Sequence, residues 1–542
     1  MAYSKNSELE YIWTYSMKLF TDKFAKFPTQ LLIIMIGLVI FVSLLGNVSL
    51  FDTIELRFAE YAREMLLSQS FRQVQLNFEP VALTPPLFTW LQTASFYVFG
   101  VNEFAARFPN AIIGVLSMLM AFRIGRYYFS SAFGVFWALL LGSSFLSIFY
   151  FKSGISDPLG NYLVFLSAYF LFKVSIKDEF APRKMMNSLM FRSVFYSALL
   201  CSLAMLTTGS INFLIIVVLV TIVLLWNKGR ITFSFSNFVW WFLFQALFIF
   251  LWVNFEDGSL SFSKLTLYIK SQIGILATEN TSGIRSLPLF MLVLLIGFFP
   301  SSFLIWRVLK RNADDTIHQL LLKRWMLSLL LLVFVLIYFH HRQFINQITL
   351  AFYPLSFLGA YFLYKLYIKA RSWKLVDSAI LLTGAVMWAV AVGGVMYLFS
   401  SGQQDRLSAY IDSPFWKSAL TKQVYWNSYE IILPILFVGA IIAAIILFHL
   451  KKNTPAIAVM IVGCALFFNL SLVLLLPRLS LYSQDTFTSY VKKNNAHFIT
   501  KDFESYIPLF YSKSQIKTDT IFVTKGENKI GNCKDGYCFS SK

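Results

Sequence analysis

The chain has 542 residues, of which 57% are hydrophobic, 18% aromatic and only 13% charged, and that balance excludes a soluble globular protein. Its net charge of +19 does not point to nucleic acid, because the basic residues fall in alternate loops between apolar runs. This is an integral membrane protein.

Residues 1–27 are polar, charged and aromatic, with Leu9, Ile12, Trp13, Met17 and Phe20 at helical spacing and Lys18, Lys23 and Lys26 near the end. The pattern predicts an amphipathic segment along the cytoplasmic face of the membrane. No small-residue cleavage pattern follows, so the first apolar run reads as a signal anchor. Residues 28–477 carry about thirteen apolar stretches, from Leu31–Leu50 to Ala456–Leu476. A helix needs about 20 such residues to cross the hydrocarbon core, so one bundle of about thirteen helices is expected. Lys and Arg concentrate in every second loop, for example Arg123 with Arg126, Arg307 with Lys310 and Arg311, and Lys451 with Lys452. With the N-terminus cytoplasmic, that bias turns the first loop, the Glu256–Arg285 loop, the Gln403–Tyr429 loop and the tail beyond Arg478 outward. The overall class is an all-α polytopic membrane protein with a small α+β outward domain over residues 478–542, where HFIT, YIPLFY and TIFVT alternate with turn signals. Some 65 residues make a thin core unless that domain leans on the bundle. Of four cysteines, Cys201 and Cys464 fall in apolar spans, whereas Cys533 and Cys538 bracket a short outward loop and are expected to form a disulfide in an oxidising compartment.

The most informative stretch is the first outward loop, residues 51–109, too charged for lipid and too rich in helix formers and aromatics for a plain loop. Interfacial helices are expected there. On a helix, Glu60 meets Arg63 and Glu64 while Phe58, Tyr61, Ala62 and Met65 form an apolar contact. The run Glu55, Arg57, Phe58, Ala59, Glu60, Arg63, Glu64, Met65, then Pro85, Pro86, Leu87, Trp90, Leu91, then Phe99, Gly100, Glu103, Phe104, Arg107 resembles the class C glycosyltransferases that use lipid-linked sugars. The aminoarabinose transferases and the protein O-mannosyltransferases are the members it is most similar to. Ser156, Asp157 and Leu159 extend the resemblance, and Tyr353, Pro354, Phe510, Tyr511 and Lys513 do so more weakly.

The resemblance implies transfer of a sugar from a polyprenyl-phosphate donor to an outward acceptor at a bacterial-type inner membrane, with a carboxylate as base and basic side chains on the departing phosphate. It implies Asp52 or Glu55 as base and Asp157 orienting the acceptor. Arg57, Arg63, Arg107, Arg285, His340, His341 and Arg342 are the candidates to hold the phosphate, with Glu60, Pro85 and Pro86 structural. No cofactor and no metal are implied, and His340 with His341 lacks the acidic or cysteine ligands a metal site would need. An interfacial cluster at a helix end is the other reading of that pair.

Three positions and one segment depart from the family pattern. Ile54 stands where the family's base is expected, Thr84 and Thr208 stand where lysines are expected, and Gln343–Gln347 replaces a Lys-Leu-Pro-x-Tyr segment. A shift of two places along a helix turns a side chain by roughly 200°, so Asp52 can stand in for the lost base only where the backbone is not helical. Two functions therefore stand side by side: an active transferase, and a catalytically silent scaffold or subunit of an envelope complex. A transporter is a third, disfavoured because no pair of interrupted spans, internal repeat or midmembrane charge is visible.

Overall fold

The computed structural model describes residues 27–81, 84–175, 183–227, 235–257, 283–308, 315–339, 344–403, 411–422, 424–494, 496–501, 503–512, 520–525, 532–534 and 537–541, with Thr266 and Lys270. The N-terminal amphipathic segment, residues 340–342 and Lys513 lie outside that set.

Each apolar stretch of the bundle contains helix, from Phe27–Phe41 to Asn453–Ser483. Among the described residues, seven helices are long and apolar enough to cross a membrane, and two shorter apolar ones flank them at Pro28–Phe41 and Ile211–Val223. A further pair of helices, Ser131–Ser143 and Phe145–Phe151, is long and apolar enough only together to make one broken span, and the two meet at 70°. No residue pattern announces that break, which sits at extended Ser144 (ψ 140°), where the hydroxyls of Ser143 and Ser144 both donate to the Leu140 carbonyl. Serines that satisfy a carbonyl within their own turn let a helix bend without an orphaned acceptor.

The first loop is built into the protein rather than laid on its surface. Helix Ile54–Ser68 is followed by a tight hairpin of β1 (Gln75–Leu76) and β2 (Glu79–Pro80), then helix Leu87–Phe99 and the long helix Glu103–Tyr128. Asn77 and Phe78 turn the hairpin at φ 55° and 63°, and both of their N–H groups donate to Glu64 at 2.8 Å. Glu55, Glu60 and Glu64 are all buried. Asn102 caps Glu103–Tyr128 by accepting from the Ala105 N–H.

The C-terminal unit is the expected small α+β piece. Its sheet, ordered β3 (His497–Lys501), β4 (Thr520–Lys525), β6 (Tyr537–Ser541), β5 (Asn532–Lys534), pairs β3 with β4 in parallel and the rest antiparallel. Its apolar face shares one buried cluster with the first loop, joining Phe487, Ile507 and Val523 to Leu56, Ala59 and Phe96. Loop and tail therefore occupy the same end of the bundle. Cys533 and Cys538 are register partners across β5 and β6, Cys538 is disulfide-bonded, and Cys201 and Cys464 are free and buried.

Candidate functional site: a cavity between the first loop and the bent span

Helix Ile54–Ser68 starts late. Thr53 sits at φ 51°, ψ −44°, a left-handed conformation unusual for a β-branched residue and costing on the order of 1–3 kcal/mol. The backbone at Asp52 is thus outside the helix, and Asp52 lines a cavity of about 550 Å³ together with Glu55, Arg57, Arg107, Lys152 and Asp157. Two contacts from beyond the bundle fix Asp52: its N–H donates to Gln484 Oε1 at 2.9 Å, and its Oδ1 accepts from the Tyr506 N–H at 2.9 Å. Gln484 Nε2 in turn donates to the Leu50 carbonyl at 2.7 Å.

Glu55 faces the same space but is fully engaged. It accepts from Arg107 Nη2 at 2.7 Å and Nε at 3.1 Å, from the Gly154 N–H at 2.6 Å and from the Phe51 N–H at 2.9 Å. Burial pushes its carboxyl up, but Arg107 and these donors more than reverse that and hold it below its ordinary range. The remaining Arg107 donors go to the carbonyls of Leu45, Val48 and Ser49. Neither side chain has a polar atom left for a ligand. The pair ties the start of the loop helix to Gly154 and to helix Glu103–Tyr128.

The opposite wall comes from the interrupted span. Its bend carries Phe149, Tyr150 and Lys152 onto the cavity lining, and Asn110 Nδ2 pins the following turn by donating to the Ser153 and Ile155 carbonyls at 2.7 and 2.6 Å. Gly154 fits because a Cβ there would sit 3.2 Å from the Ala106 carbonyl oxygen. Asp157 follows, buried in the lining, ahead of the apolar run Leu159–Val174. Burial pushes its carboxyl up to about 7, against the lowering effect of Ser156 and Arg57. Burial likewise pushes Lys152 down to about 8.

Arg57 is the cation with capacity to spare. Among the described residues no carboxylate pairs with it, and its Nε is buried without a hydrogen-bond partner. Apart from Asn47, Ser153 and Ser156 the rest of the lining is largely apolar, including Leu44, Val48, Ile54, Leu472 and Leu476, with Leu44 and Ile54 about half exposed.

The other sequence candidates sit elsewhere. Arg63 is outside the cavity lining and forms a bidentate pair with Glu60 at 2.6 and 2.8 Å. Pro86 precedes helix Leu87–Phe99, its carbonyl accepting from the Trp90 N–H at 2.8 Å, and Pro85 lies just before it. Arg285 falls in helix Gly283–Gly297, its side chain outside the described residues, as are His340, His341 and Arg342. Among the described residues no group of three or more His, Cys, Asp or Glu could hold a metal. Lys152, Gln484 and Tyr506 escaped sequence reasoning. Lys152 did leave a signal: it is the one basic residue in a turn that the charge bias places outside.

A family model for dolichyl-phosphate-mannose-protein mannosyltransferase matches residues 84–254, about a third of the chain. ArnT from Cupriavidus metallidurans, solved bound to undecaprenyl phosphate, superposes with a TM-score of 0.68 over 94% of this chain and 97% of that one at 14% identity. Its apo form gives 0.67 over 95% and 98% at 13% identity. An uncharacterised protein of Aquifex aeolicus (strain VF5) is 26% identical over 230 residues, a match spanning 40% of this chain and less than half, 44%, of that relative's length.

Proposed function

We propose that this multi-pass membrane protein, which has the class C glycosyltransferase-like fold, holds the phosphate of a polyprenyl-phosphate sugar in the cavity and transfers the sugar to an acceptor. The observation that carries the reading is Arg57: a guanidinium without an ion pair, its Nε unpartnered, in one lining with Asp52 and Asp157. An unpaired cation facing a partly apolar hollow is stabilised by an anion that enters with an apolar tail. Leu44, Ile54, Leu472 and Leu476 suit that tail, and the half-exposed flank gives it a way in from lipid. The same choice is supported by ArnT, a structure of this fold that was solved with undecaprenyl phosphate bound.

In the reaction, an acceptor oxygen forms a bond to the anomeric carbon as the bond from that carbon to the phosphate oxygen breaks. The electron pair leaves with the polyprenyl phosphate, whose new charge Arg57 stabilises with its planar fork. The acceptor's proton passes to Asp52 or Asp157. Glu55 and Arg107, candidates for base and phosphate ligand from sequence, serve instead as the clamp that sets the loop against the bend. The loop end of the bundle faces outward, in keeping with the basic loops at the other end and the disulfide at Cys538.

A second reading, the silent scaffold, is favoured by Ile54 in the lining where the family's base is expected and by the saturation of Glu55. Purified full-length protein, given polyprenyl-phosphate sugars and assayed for release of polyprenyl phosphate, separates the two. Transfer reduced on the order of 100-fold or more in Asp52→Asn or Asp157→Asn supports the enzyme. Wild-type protein that binds the lipid and never turns it over supports the scaffold.

A further inference from the structure

The two lysines that the family pattern would bring to the phosphate are Thr84 and Thr208 here, yet the cavity contains an ammonium that neither motif supplies. Lys152 follows the short helix Phe145–Phe151, so the 70° bend at Ser144 is what aims it at the lining. Its Nζ donates to the Ser43 carbonyl at 3.1 Å, and among the described residues no carboxylate lies within 4 Å of it. The neighbouring acids are committed or distant: Glu55 is saturated by Arg107 and two backbone donors, and the cation acting on Asp157 is Arg57. A partly buried lysine that shares a lining with Leu45, Phe149 and Leu472 and whose ammonium lacks a counter-charge is in an unfavourable state that an anion relieves.

We propose that Lys152 is the second cation of the donor site, supplying from the bent span the charge that the missing lysines at Thr84 and Thr208 would otherwise bring. The inference rests on the lipid-phosphate reading of the cavity and adds to it a residue and a division of labour. Arg57 approaches from the loop helix and Lys152 from the bend, so a phosphate between them bridges the two walls. Lys152 is a ligand for the headgroup; nothing in its placement makes it a base.

The test measures binding of undecaprenyl phosphate and of undecaprenol, its uncharged counterpart, to the full-length protein and to Lys152→Gln and Lys152→Arg. Wild type is expected to prefer the phosphate, Lys152→Gln to lose about tenfold of that preference with undecaprenol binding unchanged, and Lys152→Arg to keep most of it. Retention of the full preference by Lys152→Gln overturns the assignment while leaving the cavity's lipid-phosphate reading intact. Loss of undecaprenol binding as well shows a structural lysine tethering the Ser43 carbonyl and overturns it too. A wild type that binds both lipids equally overturns the donor reading and this assignment with it.

Discussion

At Glu55 and Arg107 the protein has buried an ion pair with nearly every donor and acceptor matched, joining residues 52 positions apart. Such pairs add little net stability when intact, but removing one partner leaves an unpaired charge in the interior, at about 3–5 kcal/mol. Arg107→Ala is expected to destabilise the fold by that order, and Glu55→Gln by less because the amide keeps one acceptor for the Gly154 N–H. Thermal unfolding in detergent checks the ranking; an Arg107→Ala chain as stable as wild type would remove the clamp from the account. Asp157 offers a pH test. Its carboxyl is held neutral up to about 7 by burial, so if it takes the acceptor's proton it works only when ionised. Turnover should then rise as pH passes through about 7, and Asp157→Asn should flatten the rise. An unchanged profile in that variant would assign the proton to Asp52.

At the scale of elements, the site depends on how closely two helices cross and where one of them breaks. Gly134 begins the span that later bends, and a Cβ there would lie 2.5 Å from the Phe122 carbonyl oxygen and 3.1 Å from the Arg126 nitrogen. Both are backbone atoms, which cannot swing aside as a side chain can. Gly134→Ala is expected to force helices Glu103–Tyr128 and Ser131–Ser143 apart and to cost about 1–3 kcal/mol, read as a lower unfolding midpoint. Helix existence was legible here because long apolar runs have one outcome in a bilayer. The break at Ser144 was not, because two serines inside an apolar run are compatible with a straight helix as well as a bent one. The loop helix was legible for the Glu60 and Arg63 pair, whose partners are three residues apart. The role of Glu55 was not, since its partner Arg107 and the Gly154 N–H are remote in sequence and meet only once the bundle is assembled.

Across the whole molecule, the C-terminal unit and the first loop behave as one layer. The Leu50 N–H donates to the Tyr511 hydroxyl, which itself donates to Glu103 at 3.0 Å, and Tyr506 and Gln484 hold Asp52. A tail with too few residues for a core of its own gains one by covering the loop, and the loop gains a fixed carboxylate in return. The sequence allowed Asp52 as a replacement for the base lost at Ile54 on the condition of a non-helical backbone; the left-handed Thr53 meets that condition. What no local pattern could supply was the cavity itself, formed by one loop, one bend and the last long helix. The central claim is that this cavity selects a phosphate carried on a polyprenyl tail, with Arg57 as its first cation. The most direct measurement compares the affinities of undecaprenyl phosphate and undecaprenol for wild type and for Arg57→Gln. The expected result is a preference for the phosphate of about tenfold or more in wild type, lost in the variant while undecaprenol binding stays. Equal affinities in wild type, or a preference untouched by Arg57→Gln, would contradict the account.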